Sequence, residues 1–132
     1  MEISRTIAKN RSPDDRLQVC AVIVTEDNAS LLSLGYNGDV IGGSNLPASS
    51  EPGKSNFIHA EANALIKCPF HHVMKKIMYV TASPCADCAR LCVNAGISKV
   101  IYDVEYRDLE GVSILRSAGI EVFKLSDISG TR

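Results

Sequence analysis

The chain has 132 residues, a formal net charge of −1, 45% hydrophobic residues and 22% charged residues. That length fits one domain spanning 1–132, the composition excludes a disordered chain, and near-neutral charge argues against a stable nucleic-acid partner. No apolar run approaches the roughly 20 residues of a membrane-spanning helix, and residues 1–16 are polar and charged, so a cytoplasmic protein with no membrane partner is expected.

Residues 2–10 read as a short helix ended by the Ser12-Pro13 step. Val19 to Thr25 is β-branched and apolar, a buried strand. Glu26-Asp27-Asn28 makes a turn, and Leu31 to Tyr36 returns as the second strand of a hairpin. Asn37-Gly38 is a strong turn signal. Residues 39–58 are rich in Gly, Ser and Pro, an irregular loop of a length that is usually functional. Residues 60–67 are helical on propensity, and Ile77 to Thr81 is a third strand. Ala86 to Val93 is a helix stopped by Asn94-Ala95-Gly96 as a glycine C-cap. Lys99 to Tyr102 is a fourth strand, 108–117 a helix stopped by Gly119, and Ile120 to Leu125 a fifth strand. Residues 126–132 are expected to fray. Helical crossovers make strands three, four and five parallel, giving an α/β fold with a five-stranded mixed sheet between helical layers.

Two short motifs carry chemistry. His59-Ala60-Glu61 and Pro84-Cys85-Ala86-Asp87-Cys88 each stand at the first turn of a helix. Cys85 and Cys88, three residues apart, share a helix face. With His59 they supply three of the four ligands that Zn²⁺ prefers, leaving one position open as in a catalytic site. The helix N-termini favour the thiolates. Glu61 is not needed as a ligand and can serve as a proton shuttle. H-x-E followed by P-C-x-x-C is the signature of zinc nucleobase deaminases.

Beyond these motifs stand Arg11-Ser12 with Asp14 and Arg16, Gln18 to Val24, Gly35-Tyr36-Asn37-Gly38, Ala62-Asn63-Ala64, Tyr79-Val80-Thr81, Ser83, Ala89 and Ala95-Gly96-Ile97. On these residues the chain resembles the deoxycytidylate deaminases of the cytidine deaminase superfamily over roughly residues 3–125. The resemblance implies a cytidine deaminase-like three-layer α/β/α fold and zinc-dependent hydrolytic deamination of dCMP to dUMP, feeding thymidylate synthesis. It gives Asn37 a bond to the sugar, Ala60 N–H and the Ser83 carbonyl the base edge, and Ser12, Arg16 and Tyr106 the 5′-phosphate, for which an arginine fork is suited. It also implies a homo-oligomer, hexamer or dimer, and control by dCTP and dTTP.

Other readings stand beside these. One is a different deaminase of the superfamily, acting on free cytosine, a nucleoside or a polynucleotide base. Another is a non-catalytic zinc module. Cys92 lies about 6 Å along the helix axis from Cys88, which makes a Cys₃His cage awkward and favours burial as an apolar residue. Cys20, where the family often has glycine, and Cys68 read as inert core thiols. His71 and His72 read as loop residues.

Overall fold

The computed structural model describes residues 1–3, 5, 18–38, 58–69, 75–106 and 108–128. Ser12, Arg16, His71, His72 and residues 39–57 of the long loop lie outside them. Five strands, β1 (Cys20–Thr25), β2 (Leu31–Tyr36), β3 (Lys76–Ala82), β4 (Ile97–Val104) and β5 (Glu121–Lys124), alternate with α1 (Ala60–Lys67), α2 (Ala86–Asn94), α3 (Glu110–Ser117) and α4 (Leu125–Ile128).

The strands form one sheet in the order β2-β1-β3-β4-β5. β1 runs antiparallel to β2 and β3, and β3, β4 and β5 run parallel, as the helical crossovers require. The β1–β2 turn is built by its own side chains. Asp27 Oδ1 accepts from the Thr25 hydroxyl at 2.7 Å and from Ala29 N–H at 2.9 Å, and Asn28 takes φ 61°, which asparagine tolerates.

Period-two alternation decides the layers. Ala21, Ile23, Met78, Val80, Ala82, Val100, Tyr102 and Val122 share a core with Ala60, Ala64 and Leu65 of α1, Ala89 and Cys92 of α2, and Val112 and Leu115 of α3. The opposite face of the hairpin holds Cys20 and Val22, packed by Val24 and Leu34. Residues 2, 3 and 5 are helical. Arg5 forks onto Asp103 at 2.6 and 2.7 Å, and alternation along β4 puts Asp103 on the side opposite Tyr102. Helical chain therefore stands on both faces. Gly96 (φ 81°) and Gly119 (φ 84°) follow α2 and α3 in the left-handed region, where glycine has no Cβ penalty.

Several element boundaries depart from the sequence reading by one or two residues. β3 begins at Lys76 rather than Ile77, and β4 runs from Ile97 to Val104 rather than Lys99 to Tyr102. Lys76 is fully buried, and its Nζ donates to Ala95 O at 2.8 Å, so the cation neutralises the carbonyl end of α2. Leu125, read as the end of the fifth strand, starts α4, and residues 126–128, expected to fray, are helical. Among the described residues no helix is long and apolar enough to cross a membrane.

Candidate metal and active site

Two helix starts converge. Gly38 and Ile58 exchange backbone hydrogen bonds at 3.1 and 2.6 Å, so the chain returns beside the end of β2 before α1 begins. His59 then caps α1 in extended conformation. Two side-chain bonds lock α1 onto β2: Asn63 Nδ2 donates to Tyr36 O at 2.9 Å, and Ser33 Oγ donates to Ala64 O at 2.7 Å. Close approach needs Gly35, because a Cβ there would stand 2.4 Å from Ala64 N and 2.6 Å from Ala60 O.

On the other side, β3 ends at Ala82 and Ser83-Pro84-Cys85 follows, with Cys85 capping α2. Cys88 N–H donates to Cys85 Sγ at 3.5 Å, which turns both sulfurs the same way. Gly111 of α3 lies directly against this turn, since a Cβ on it would come 2.0 Å from Pro84 O.

His59 Nδ1 lies 3.4 Å from Cys85 Sγ and 3.4 Å from Cys88 Sγ, and all three ligand atoms fall within 4.8 Å of one another. A tetrahedral ion with Zn–S of ~2.3 Å and Zn–N of ~2.0 Å has S···N edges of about 3.5 Å. The three side chains therefore fit Zn²⁺. Cys88 is buried, Cys85 half-buried and His59 exposed, which leaves the cluster accessible from one side. Among the described residues Cys92 does not join it: its Sγ is 3.8 Å from Met78 Sδ, in the core.

The electrostatics follow from this crowding. Cys85 is held down to about 3, first by the hydrogen bond from the Cys88 side chain and then by His59. The same bond to Cys85, together with burial, pushes Cys88 up. The Cys85 thiolate raises His59 in turn. A divalent cation resolves the competition by making both sulfurs thiolates. Glu61 is only 5% exposed, and burial pushes its carboxyl up to about 7. A buried acid tuned to that range can take up and release a proton near neutrality.

Of the remaining expected site residues, four lie among the described residues. Asn37 is buried at the end of β2; its Oδ1 accepts from Val19 N–H at 3.0 Å and its N–H donates to Val19 O at 3.2 Å. Ala60 is buried in the first turn of α1. Ser83 is buried, and its Oγ accepts from Tyr106 N–H at 2.7 Å. The other two, Ser12 and Arg16, lie outside the described residues. Sequence reasoning missed Gly35 and Gly111 as positioning residues. A glycine inside a strand or helix pattern is the available signal for close backbone approach.

The profile of the family described as "Cytidine and deoxycytidylate deaminase zinc-binding region" matches residues 1–104. The deoxycytidylate deaminase of Enterobacteria phage T4 is 43% identical over 82 residues, 59% of this chain and 42% of its own length. That of Mycobacterium phage D29 is 34% identical over 115 residues, 76% of this chain and 88% of its own length. The chain spans less than half the length of the phage T4 enzyme. The crystal structure of dCMP deaminase from the cyanophage S-TIM5 in complex with dCMP and dUMP superposes with a TM-score of 0.81 at 33% identity, covering 93% of this chain and 91% of that one. With a profile spanning most of the chain and a His-Cys-Cys cluster that fits the metal, the chain belongs to the cytidine and deoxycytidylate deaminase zinc-binding family.

Proposed function

We propose that the protein catalyses the hydrolytic deamination of dCMP to dUMP with release of ammonia, supplying dUMP for thymidylate synthesis. The observation that carries this reading is the His59-Cys85-Cys88 cluster with Glu61 buried two residues from His59. The likeness to the cyanophage enzyme, crystallised with dCMP and dUMP, supports the choice of nucleotide.

Zn²⁺ held by His59, Cys85 and Cys88 would supply Lewis-acid activation of water. Glu61 accepts a proton from the attacking water and delivers it to N3 of the ring; it then takes the second proton, from the hydroxyl now on C4, and passes it to the departing amine. As the C4–N bond breaks, the C4 carbonyl forms and ammonia leaves. The Ala60 N–H, in a helix turn without an intrahelical acceptor, and the Ser83 carbonyl orient the base edge. Asn37 holds the sugar, and Ser12, Arg16 and Tyr106 hold the 5′-phosphate. The enzyme works in the cytoplasm as a homo-oligomer, a hexamer or dimer, under control by dCTP and dTTP.

Purified zinc-loaded protein is to be offered dCMP, CMP, deoxycytidine, cytosine and dCTP while ammonia release is followed. The expected result is the highest kcat/KM on dCMP. Turnover of deoxycytidine or cytosine above dCMP would replace the substrate, and no turnover of any member would remove the enzyme.

A further inference from the structure

The chain following β3 and the chain following β4 leave the sheet together. Ala82 and Val104 are still in parallel register, and beyond them Ser83 N–H donates to Val104 O at 2.9 Å. One more bond then forms that the strand ladder does not supply: Tyr106 N–H donates to Ser83 Oγ at 2.7 Å. Ser83 is only 2% exposed, so its hydroxyl has little competition from water. Its chain neighbour Pro84 leads into Cys85 of the metal cluster, and Tyr106 is half-buried. Both segments stand at the C-terminal edge of parallel strands, the side on which such sheets bind ligands.

We propose that the Ser83 hydroxyl is a positioning residue: by holding the Tyr106 backbone it sets the Tyr106 side chain as a wall of the substrate pocket beside the metal cluster. This rests on the deaminase reading above. The hydroxyl touches neither the metal ligands nor the reacting atoms, so its effect passes through Tyr106 into substrate affinity. Losing the bond takes the Ser83 acceptor from a part-buried N–H and loosens the segment after β4, costs that together correspond to about a 5- to 20-fold change in an equilibrium.

The test is a double-mutant cycle with Ser83→Ala, Tyr106→Ala and the double variant. Steady-state kinetics on dCMP are read together with zinc content and with hydrogen exchange at the Tyr106 amide. Expected for Ser83→Ala are an unprotected Tyr106 amide, about one zinc per chain, a KM raised about 5- to 20-fold, and a smaller fall in kcat. In the Tyr106→Ala background, Ser83→Ala adds no further rise in KM, because the side chain through which it acts is gone. Additive effects on KM would overturn the proposal, as would an unchanged KM or zinc loss that tracks the kinetic defect. A wild-type enzyme inactive on dCMP would instead overturn the functional reading, whatever the Tyr106 amide shows.

Discussion

At the scale of single residues, the proposed reaction asks the site to divide labour between metal retention and proton transfer. Cys85 and Cys88 need one charge state to hold a divalent ion, both thiolates, whereas the hydrogen bond between them favours one proton shared across the pair. Metal binding is therefore coupled to the two helix starts that carry the ligands. Cys85→Ala is expected to drop zinc from about one equivalent to well below half by elemental analysis, and to lower the unfolding midpoint with it. Glu61→Gln keeps the three ligands and the shape of the buried side chain. It is expected to retain zinc and fold while turnover falls on the order of 10²–10⁴-fold. A Glu61→Gln enzyme running near the wild-type rate would remove the shuttle role. These residues were legible in the sequence because the chemistry is local: Cys85 and Cys88 share a helix turn, and Glu61 follows His59 by two. The Ser83–Tyr106 bond was not legible, since 23 residues separate its partners and neither residue type announces a non-local contact.

At the scale of elements, glycine and charge decide how helices meet the sheet. Gly111→Ala would press a methyl onto Pro84 O, which stands 2.0 Å from the Cβ position. Overpacking of that kind costs about 1–3 kcal/mol or more, and here the atom that must yield belongs to the turn carrying Cys85. Urea unfolding should show the loss of stability, and chelator competition should show faster zinc release. Wild-type values in both assays would mean that α3 shifts without moving the turn. A second attachment, Arg5 on Asp103, ties the N-terminal helical residues to β4. The Arg5 guanidinium holds the Asp103 carboxyl below the usual range. A carboxyl lowered in this way adds stability above its unfolded pKa of about 3.9, and loses it as pH falls through the folded value. Arg5→Ala should return the Asp103 titration, followed by carboxyl carbon NMR, toward its ordinary value. Most elements were readable from periodicity, and the misses have physical causes. The strand-like segment Ile120 to Leu125, with four apolar residues in six, hides the switch to α4 after Lys124. The third strand is read from Ile77, leaving out Lys76, because lysine is almost never fully buried without a partner, and the Ala95 carbonyl that accepts from it comes from a distant turn.

At the scale of the whole molecule, the sheet has two ends and they differ in chemistry. The β5 end carries charge, with Glu121 and Lys124 in a strand of four residues. β2, Leu-Leu-Ser-Leu-Gly-Tyr from Leu31 to Tyr36, carries no charge and no proline. Among the described residues no strand pairs with its outer edge. An uncharged edge strand is a template for pairing unless something covers it, and Leu31 at its start is 54% exposed. A second copy of the chain is a suitable cover, since closed symmetric oligomers are the common solution for soluble proteins. Multi-angle light scattering at micromolar concentration should therefore give a mass of at least two chains. Placing a cation on the edge, as in Leu31→Lys, should shift the population toward smaller species without changing zinc content, because Leu31 is remote in sequence from the ligands and lies at the hairpin end of its strand. A wild-type monomer across the concentration range would dispose of the oligomer. A stable oligomer indifferent to Leu31→Lys would move its interface away from the β2 edge.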